Sequence, residues 1–482
     1  MPPQYNPQRL RGEALPRSAH VRAAGSAGVG SAQLRSRGRP APELIIILAY
    51  ILLTRLSLGK EANYGIWIGS VPIYPTDVTL VLLIGLVVRR RWQRRWFKSW
   101  FVKGKGAGSI GRAVWCLCIL AVVYAVHAWP SYQILALRDL AMFGYSLFFP
   151  LTYLMISDRH SAVRIVRWFV YGSLILAVPL ALEAITGLNL GLSSDDQSLM
   201  TASGLLRRMA VGDLGSNLGF ALSALLVYLL LTRQRRWINS IAALICLIGI
   251  AASLNRSAIL SVAAATLFTF LIVRKRRRLI FGLSTGVVSL WLLGHSSLFQ
   301  NLTAAIKSGT TIFDDADFQF RLLRWGEALV LWLTHPVIGA GFGMEICTPD
   351  PNETGLFNVG MPHNSYLTLL ARTGIIGLGL FLFCYGKGLF DLLRSLRKRG
   401  MDADSLAVAN ILIAMGIFAG FNLFLEEPLL IGPFWIMLAV ACRLAETSPA
   451  RFVVARRRLP APDVSRSQTP SATQLLRPSL EG

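Results

Sequence analysis

The chain has 482 residues, of which 54% are hydrophobic and 15% charged. Apolar residues come in long runs, which excludes a set of ordinary soluble domains and points to a polytopic membrane protein. Lys and Arg total 49 against 25 acids, a formal +24, but where those charges fall argues against nucleic acid as the partner.

In chain order, residues 1–42 are rich in Arg, Pro, Gly, Ala and Ser and have no apolar core. They read as a disordered basic cytoplasmic tail rather than a cleaved signal. Twelve candidate membrane spans follow, each approaching the ~20 apolar residues a bilayer requires. They are Leu44–Leu58, Ile68–Val88, Ala113–Trp129, Ile134–Ile156, Trp168–Leu188 and Leu214–Leu231 in the first half. Ile238–Leu254, Ala258–Val273, Leu279–Leu293, Ser365–Phe390, Leu406–Leu425 and Leu429–Leu444 complete the set. Every second connection is basic: "RRRWQRRWFKSWFVKGKG", "DRHSAVRIVR", "TRQRRW", "RKRRR" and "LRSLRKRG". Short cytoplasmic loops collect Lys and Arg, so these connections and both termini are expected inside. The basic excess is then a topology signal and a contact for anionic lipid. One long extracytoplasmic loop is expected at about 294–362, holding a helix-like stretch Phe318–Leu333 and then "HPVIGAGFG". The transmembrane domain is 43–446, and 447–482 reads as a second disordered cytoplasmic tail. The fold class is therefore all-α, a polytopic integral membrane protein of about 12 transmembrane helices. Five of the six cysteines lie in apolar runs and Cys347 lies in the loop, with no metal-ligand spacing.

The few outer cations carry the chemistry. A charge near the bilayer centre costs at least ~2.5–3.5 kcal/mol, so one that persists usually has a partner or a task. Arg256 sits in "SLNRSAIL" between two spans, where the bland role is a snorkelling or turn residue. Arg207 and Arg208 open "RRMAVGDLGSNLGF", where the bland role is loop solvation. Arg321 and Arg324 stand three apart on the loop helix and can share a face, the alternative being a solvated amphipathic surface. His363 and Asn364 precede the span in "MPHNSYLTLLARTGIIG". Guanidinium groups bind phosphate bidentately, and a neutral imidazole beside them can take a proton from a hydroxyl. Asn364 can cap the following helix or bind a sugar. Asp314, Asp315, Asp317 and Glu426–Glu427 read as loop solvation, with metal or glycosidase-type carboxylates as the alternative. The first outer loop, "GKEANYGIWIGS", has no Asp-X-Asp motif, which leans towards metal-independent chemistry.

The segment "RLLRWGEALVLWLTHPVIGAGFG" followed by "MPHNSYLTLLARTGIIGLGLFLF" resembles the O-antigen ligase and polymerase superfamily of bacterial membrane glycosyltransferases. The resemblance rests on Arg321, Trp325, His335–Pro336, Gly339, Gly341, Gly343, His363–Asn364, Leu367, Gly374 and Gly377, in that order. Arg256 matches that family's small-residue Arg motif, and Arg208, Gly212 and Asn217 its Arg–Gly–Asn segment; Asn255 departs, standing where the family often has a small residue.

This resemblance implies a glycosyltransferase of the bacterial inner membrane, its site facing the exterior, that takes a glycan from undecaprenyl diphosphate. The acceptor would be a hydroxyl of another glycan, of lipid A–core, or of a protein. His363, Arg256 and Arg208 would be catalytic, with Arg321, Arg207, Asn364, Arg324 and Trp325 binding substrate. The reaction would invert the anomeric centre and need no cofactor or metal. Membrane lipids and polysaccharide assembly proteins are the other expected partners. A transporter or flippase of lipid-linked oligosaccharide is the alternative from another class.

Overall fold

The computed structural model describes residues 42–56, 66–68, 71–93, 107–186, 198–201, 204–207, 212–233, 235–253, 255–273, 316–344, 346–349, 357–360 and 362–447. Both expected tails (save position 42 and position 447), the candidate span Leu279–Leu293, Arg208, Asp314 and Asp315 lie outside them. The helices are α1 Pro42–Leu56, α2 Pro75–Gln93, α3 Ala107–Tyr132, α4 Ile134–Gly144, α5 Phe148–Met155, α6 Arg159–Gly172 and α7 Leu174–Thr186. They continue as α8 Gly212–Leu231, α9 Arg236–Ser253, α10 Arg256–Ile272, α11 Ala316–Thr334, α12 Ser365–Arg399, α13 Ala403–Ala419 and α14 Pro428–Glu446.

Among the described residues, five stretches can cross a membrane by length and composition: Ala107–Tyr132, Ile134–Met155, Arg159–Leu182, Ser365–Arg399 and Pro428–Glu446. Shorter apolar helices at Leu44–Leu53, Gly215–Leu231, Arg236–Ala251, Arg256–Ile272 and Ala403–Ala419 accompany them.

Two span boundaries need correcting. The described residues are overwhelmingly helical, as expected, and the exceptions are local. Three antiparallel two-stranded hairpins occupy connections: β1 Ile66–Ile68 with β2 Val71–Ile73, β3 Ser198–Thr201 with β4 Gly204–Arg207, and β5 Ile346–Pro349 with β6 Phe357–Gly360. Short β-branched stretches such as Ile66–Ile68 look apolar whether they enter a helix or a strand, which is why Ile68–Val88 read as one span. The helix there begins only at Pro75, with the Asp77 carboxylate accepting from the Tyr74 N–H at 2.8 Å. The span read to Leu425 likewise stops at Ala419, and a turn runs from Gly420 to Glu427.

Side-chain caps mark several helix starts. Asp158, Asn255, Asn364 and Asp402 each accept hydrogen bonds from the first turn of α6, α10, α12 and α13. The core is built around α14, which is buried along most of its length. Phe424 in the 420–427 turn is held edge-on by Phe220 of α8, Phe418 of α13 and Phe434 of α14, with ring centroids 6.0, 6.1 and 5.8 Å apart.

The helix ends sort into two groups. Arg159 pairs with Asp402 and reaches the Thr447 carbonyl at 3.4 Å, while Arg399 donates to the Ala445 carbonyl at 2.7 Å. The ends of α12 and α14 and the starts of α6 and α13 therefore meet. The other group gathers the starts of α10, α12 and α14, the end of α13 and the glycine-rich loop after α11.

Candidate functional site

The site is assembled on the Gly420–Glu427 turn. Ser365, the first residue of α12, holds it: its Oγ accepts from the backbone N–H of Phe424 (2.9 Å) and Leu425 (3.0 Å). The same hydroxyl lies 2.6 Å from a Glu426 carboxylate oxygen and 3.1 Å from the Asn422 carbonyl. From the other side, the Asn422 amide donates to Ser257 Oγ, and Ser257 donates to Asn255 Oδ1 at 2.7 Å. Asn255 also accepts from the Ala258 N–H at 3.0 Å, so its departure from a small residue supplies the cap of α10. Arg321 of α11 donates to the Phe421 carbonyl at 2.8 Å. One turn thus ties together the helix that starts with Arg256, the helix preceded by His363, and the helix that carries Arg321.

His363 has a positive φ of 50°, in the left-handed region that costs a non-glycine residue about 1 kcal/mol or more. Both neighbours pin it there. Trp325 Nε1 donates to the Pro362 carbonyl at 2.7 Å, and Asn364 Oδ1 accepts from the N–H groups of Tyr366 (3.1 Å) and Leu367 (3.2 Å). The Asn364 oxygen is therefore the cap of α12, and Trp325 acts on the backbone beside the histidine. Arg256 is exposed at the first position of α10.

Arg324 is buried, and burial holds its guanidinium below its ordinary value. Arg207 closes β4 opposite Ser198, and its side chain lies outside the described residues, as does Arg208. The helix that follows them, α8, is nevertheless brought here: a Cβ at Gly215 would collide with Ser253 and Asn255.

Gly339, Gly341 and Gly343 of "HPVIGAGFG" have φ of 74°, 96° and 77°, and their loop closes on a break in α12, where Gly374 has φ 62° and ψ −164°. Ala340 and Gly341 donate to the Ala371 and Arg372 carbonyls at 2.8 and 3.1 Å, and Ile375 and Ile376 donate to the Pro336 and Val337 carbonyls at 3.0 and 3.3 Å. A Cβ at Gly339 would meet the α12 backbone, and one at Gly374 would meet Val337.

Sequence reading missed Asp139 and Arg372. They form an ion pair with side chains only 4% and 3% exposed, and Asp139 also accepts from the Gly343 N–H at 2.8 Å. Ser365, Asn422 and Glu426 were equally invisible as a network. Asp139 and Arg372 each lie inside a candidate span, where a charge demands a partner, and that was the available signal. No cluster of three or more His, Cys, Asp or Glu occurs among the described residues.

Against known proteins, no curated sequence matches the chain. Residues 241–382 match the family model described as O-antigen ligase. That segment begins in α9 and contains Arg256, α11, the glycine-rich loop, His363 and the break in α12. The apolar helices and this match together make the chain a multi-pass membrane protein that carries a domain of the O-antigen ligase superfamily.

Proposed function

We propose that the protein transfers a glycan from undecaprenyl diphosphate to an acceptor hydroxyl at the outer face of the bacterial inner membrane, as an O-antigen ligase or a surface polysaccharide polymerase. The observation that carries this reading is the convergence of α10, α11 and α12 on the 420–427 turn through Ser257, Asn422, Ser365 and Arg321. The starts of α10 and α12 both open there, and helix N-termini favour anionic groups.

In the reaction, His363 takes the proton from the acceptor hydroxyl as its oxygen attacks the anomeric carbon. The bond from that carbon to the diphosphate oxygen breaks, and undecaprenyl diphosphate leaves with the electron pair. Attack opposite the leaving group inverts the centre. Arg256 and Arg208, together with the substrate-binding Arg321, Arg207 and Arg324, oppose the charge that grows on the diphosphate; electrostatic stabilisation is commonly the largest catalytic term. Trp325 holds the backbone before His363, and Asn364 orders the helix start after it. Guanidinium groups and imidazole supply this chemistry without a divalent metal.

The test is reconstitution of the purified chain in liposomes with a lipid-linked donor and a hydroxyl acceptor. A new glycosidic product with release of undecaprenyl diphosphate supports the reading. Movement of the donor across the bilayer without product means a carrier and overturns it.

A further inference from the structure

Helix α11 is built the wrong way round for a helix in a solvated loop. A surface helix in water turns its apolar stripe to the protein and its polar face outward. In α11 the stripe turned to the protein carries Arg321, Arg324 and Trp325 with Ala328, which packs with Leu331 against Leu367 and Ala371 of α12. Arg324 is only 6% exposed. The opposite face exposes Leu322, Leu323, Leu329, Val330 and Leu333, each 39–64% accessible. Gly326 lies among them, and Glu327 and Thr334 stand at one edge.

This face does not end with the helix. Val337 and Ile338 continue it, and the hydrogen bonds at the α12 break bring Ile375 and Ile376 alongside; all four are at least 42% exposed. Tyr124 of α3 donates to the Ile338 carbonyl, and the same stretch of α3 exposes Val122, Val123 and Val126. Both α3 and α12 are long and apolar enough to cross a membrane, so the α11 face runs into the surfaces they show to lipid. A contiguous apolar surface of this extent is not left in water.

We propose that α11 and the loop after it are embedded in the lipid layer, with the leucine face against acyl chains and the arginine stripe against the bundle. The occupant is bilayer lipid. Charged residues at membrane depth face the protein interior, as Arg321 and Arg324 do here. The inference holds whether or not the chain is a glycosyltransferase. If the proposed reaction is right, it adds that a lipid-borne diphosphate reaches Arg321 and Arg324 sideways, from within the membrane.

The experiment uses the full chain in lipid vesicles. Val330→Cys, Leu333→Cys and Val337→Cys are exposed to a membrane-impermeant maleimide, with Glu327→Cys as the reference, and each modified peptide is quantified by mass spectrometry. The unsubstituted protein is also irradiated in vesicles containing a lipid with a diazirine on its acyl chain. The expected result is labelling at Val330, Leu333 and Val337 at least tenfold slower than at Glu327, with protection lost in detergent and with lipid adducts on the α11 peptide. Labelling as fast as at Glu327, or absence of adducts on α11, overturns the proposal. So does protection that survives detergent, which means a protein, such as a second copy of the chain, covers this face. The adduct measurement needs no substitution and stands even if a variant fails to fold.

Discussion

The two ends of the bundle are both polar, yet they are polar in different ways. At one end Arg159 meets Asp402, Arg443 lies 4.2 Å above the Tyr153 ring and 3.4 Å from Glu446, and Arg399 caps a carbonyl. Cation and anion, or cation and ring, stand in simple pairs that close helix ends. At the other end Arg321 donates to a backbone carbonyl, His363 is held at a positive φ, and the ion pair of Asp139 with Arg372 is buried beneath a loop. Pairing stabilises structure. A non-glycine residue held at positive φ and pinned on both sides is the pattern of a site prepared for something else. The comparison teaches that charge count does not separate the two ends; the partners of the charges and the backbone strain at His363 do.

The sharpest way to break the comparison is His363→Ala. Product formation in matched membranes should fall by ~10²–10⁴ while the amount of folded protein stays level. Undiminished product would reduce the strained histidine to a helix-start ornament.

Next in size is the buried pair. Asp139→Ala leaves the Arg372 guanidinium without its anion and frees the Gly343 N–H, and should lower stability by about 3–5 kcal/mol, read as a lower melting temperature in detergent. The double variant Asp139→Leu/Arg372→Met should recover much of that loss. If it does not, the pair does more than hold the loop.

Arg256→Ala should lower the rate by ~10²–10³ with little change in melting temperature, because its side chain is exposed. Equal losses of activity and stability would make Arg256 structural.

The smallest effect belongs to the opposite end. Burial alone would raise the Asp402 carboxyl, but hydrogen bonds from Ser405 and Arg159 hold it below its ordinary value. A lowered folded value means that its stabilisation is present above the unfolded pKa of about 4 and is lost as pH falls through the folded one. Asp402→Ala should therefore cost about 0.5–2 kcal/mol at neutral pH, leave turnover unchanged, and differ less from the parent as the medium is acidified. A loss of activity there would erase the distinction between the two ends.

The positions of most helices and of the histidine segment were legible in the chain, because a span must satisfy its own backbone hydrogen bonds and stay apolar over a fixed length, and both conditions are local. The small residues around Arg256 and the "HN" before α12 were legible for the same reason, as polar groups next to apolar runs. The hairpins were not, since strands of three or four residues are too short to show a period. Nor was the joining of Ser257 to Asn422 and of Asn422 to Ser365, across 165 and 57 residues, or of Asp139 to Gly343 across 204, since hydrogen bonding between distant groups depends on how helices cross. The sequence by itself determined that the chain is a bundle of apolar helices with scarce cations at one set of ends. Only the tertiary structure decided which cations meet, that the glycines press on backbone, and that α11 turns its leucines outward, because orientation about a helix axis is set by what packs against it.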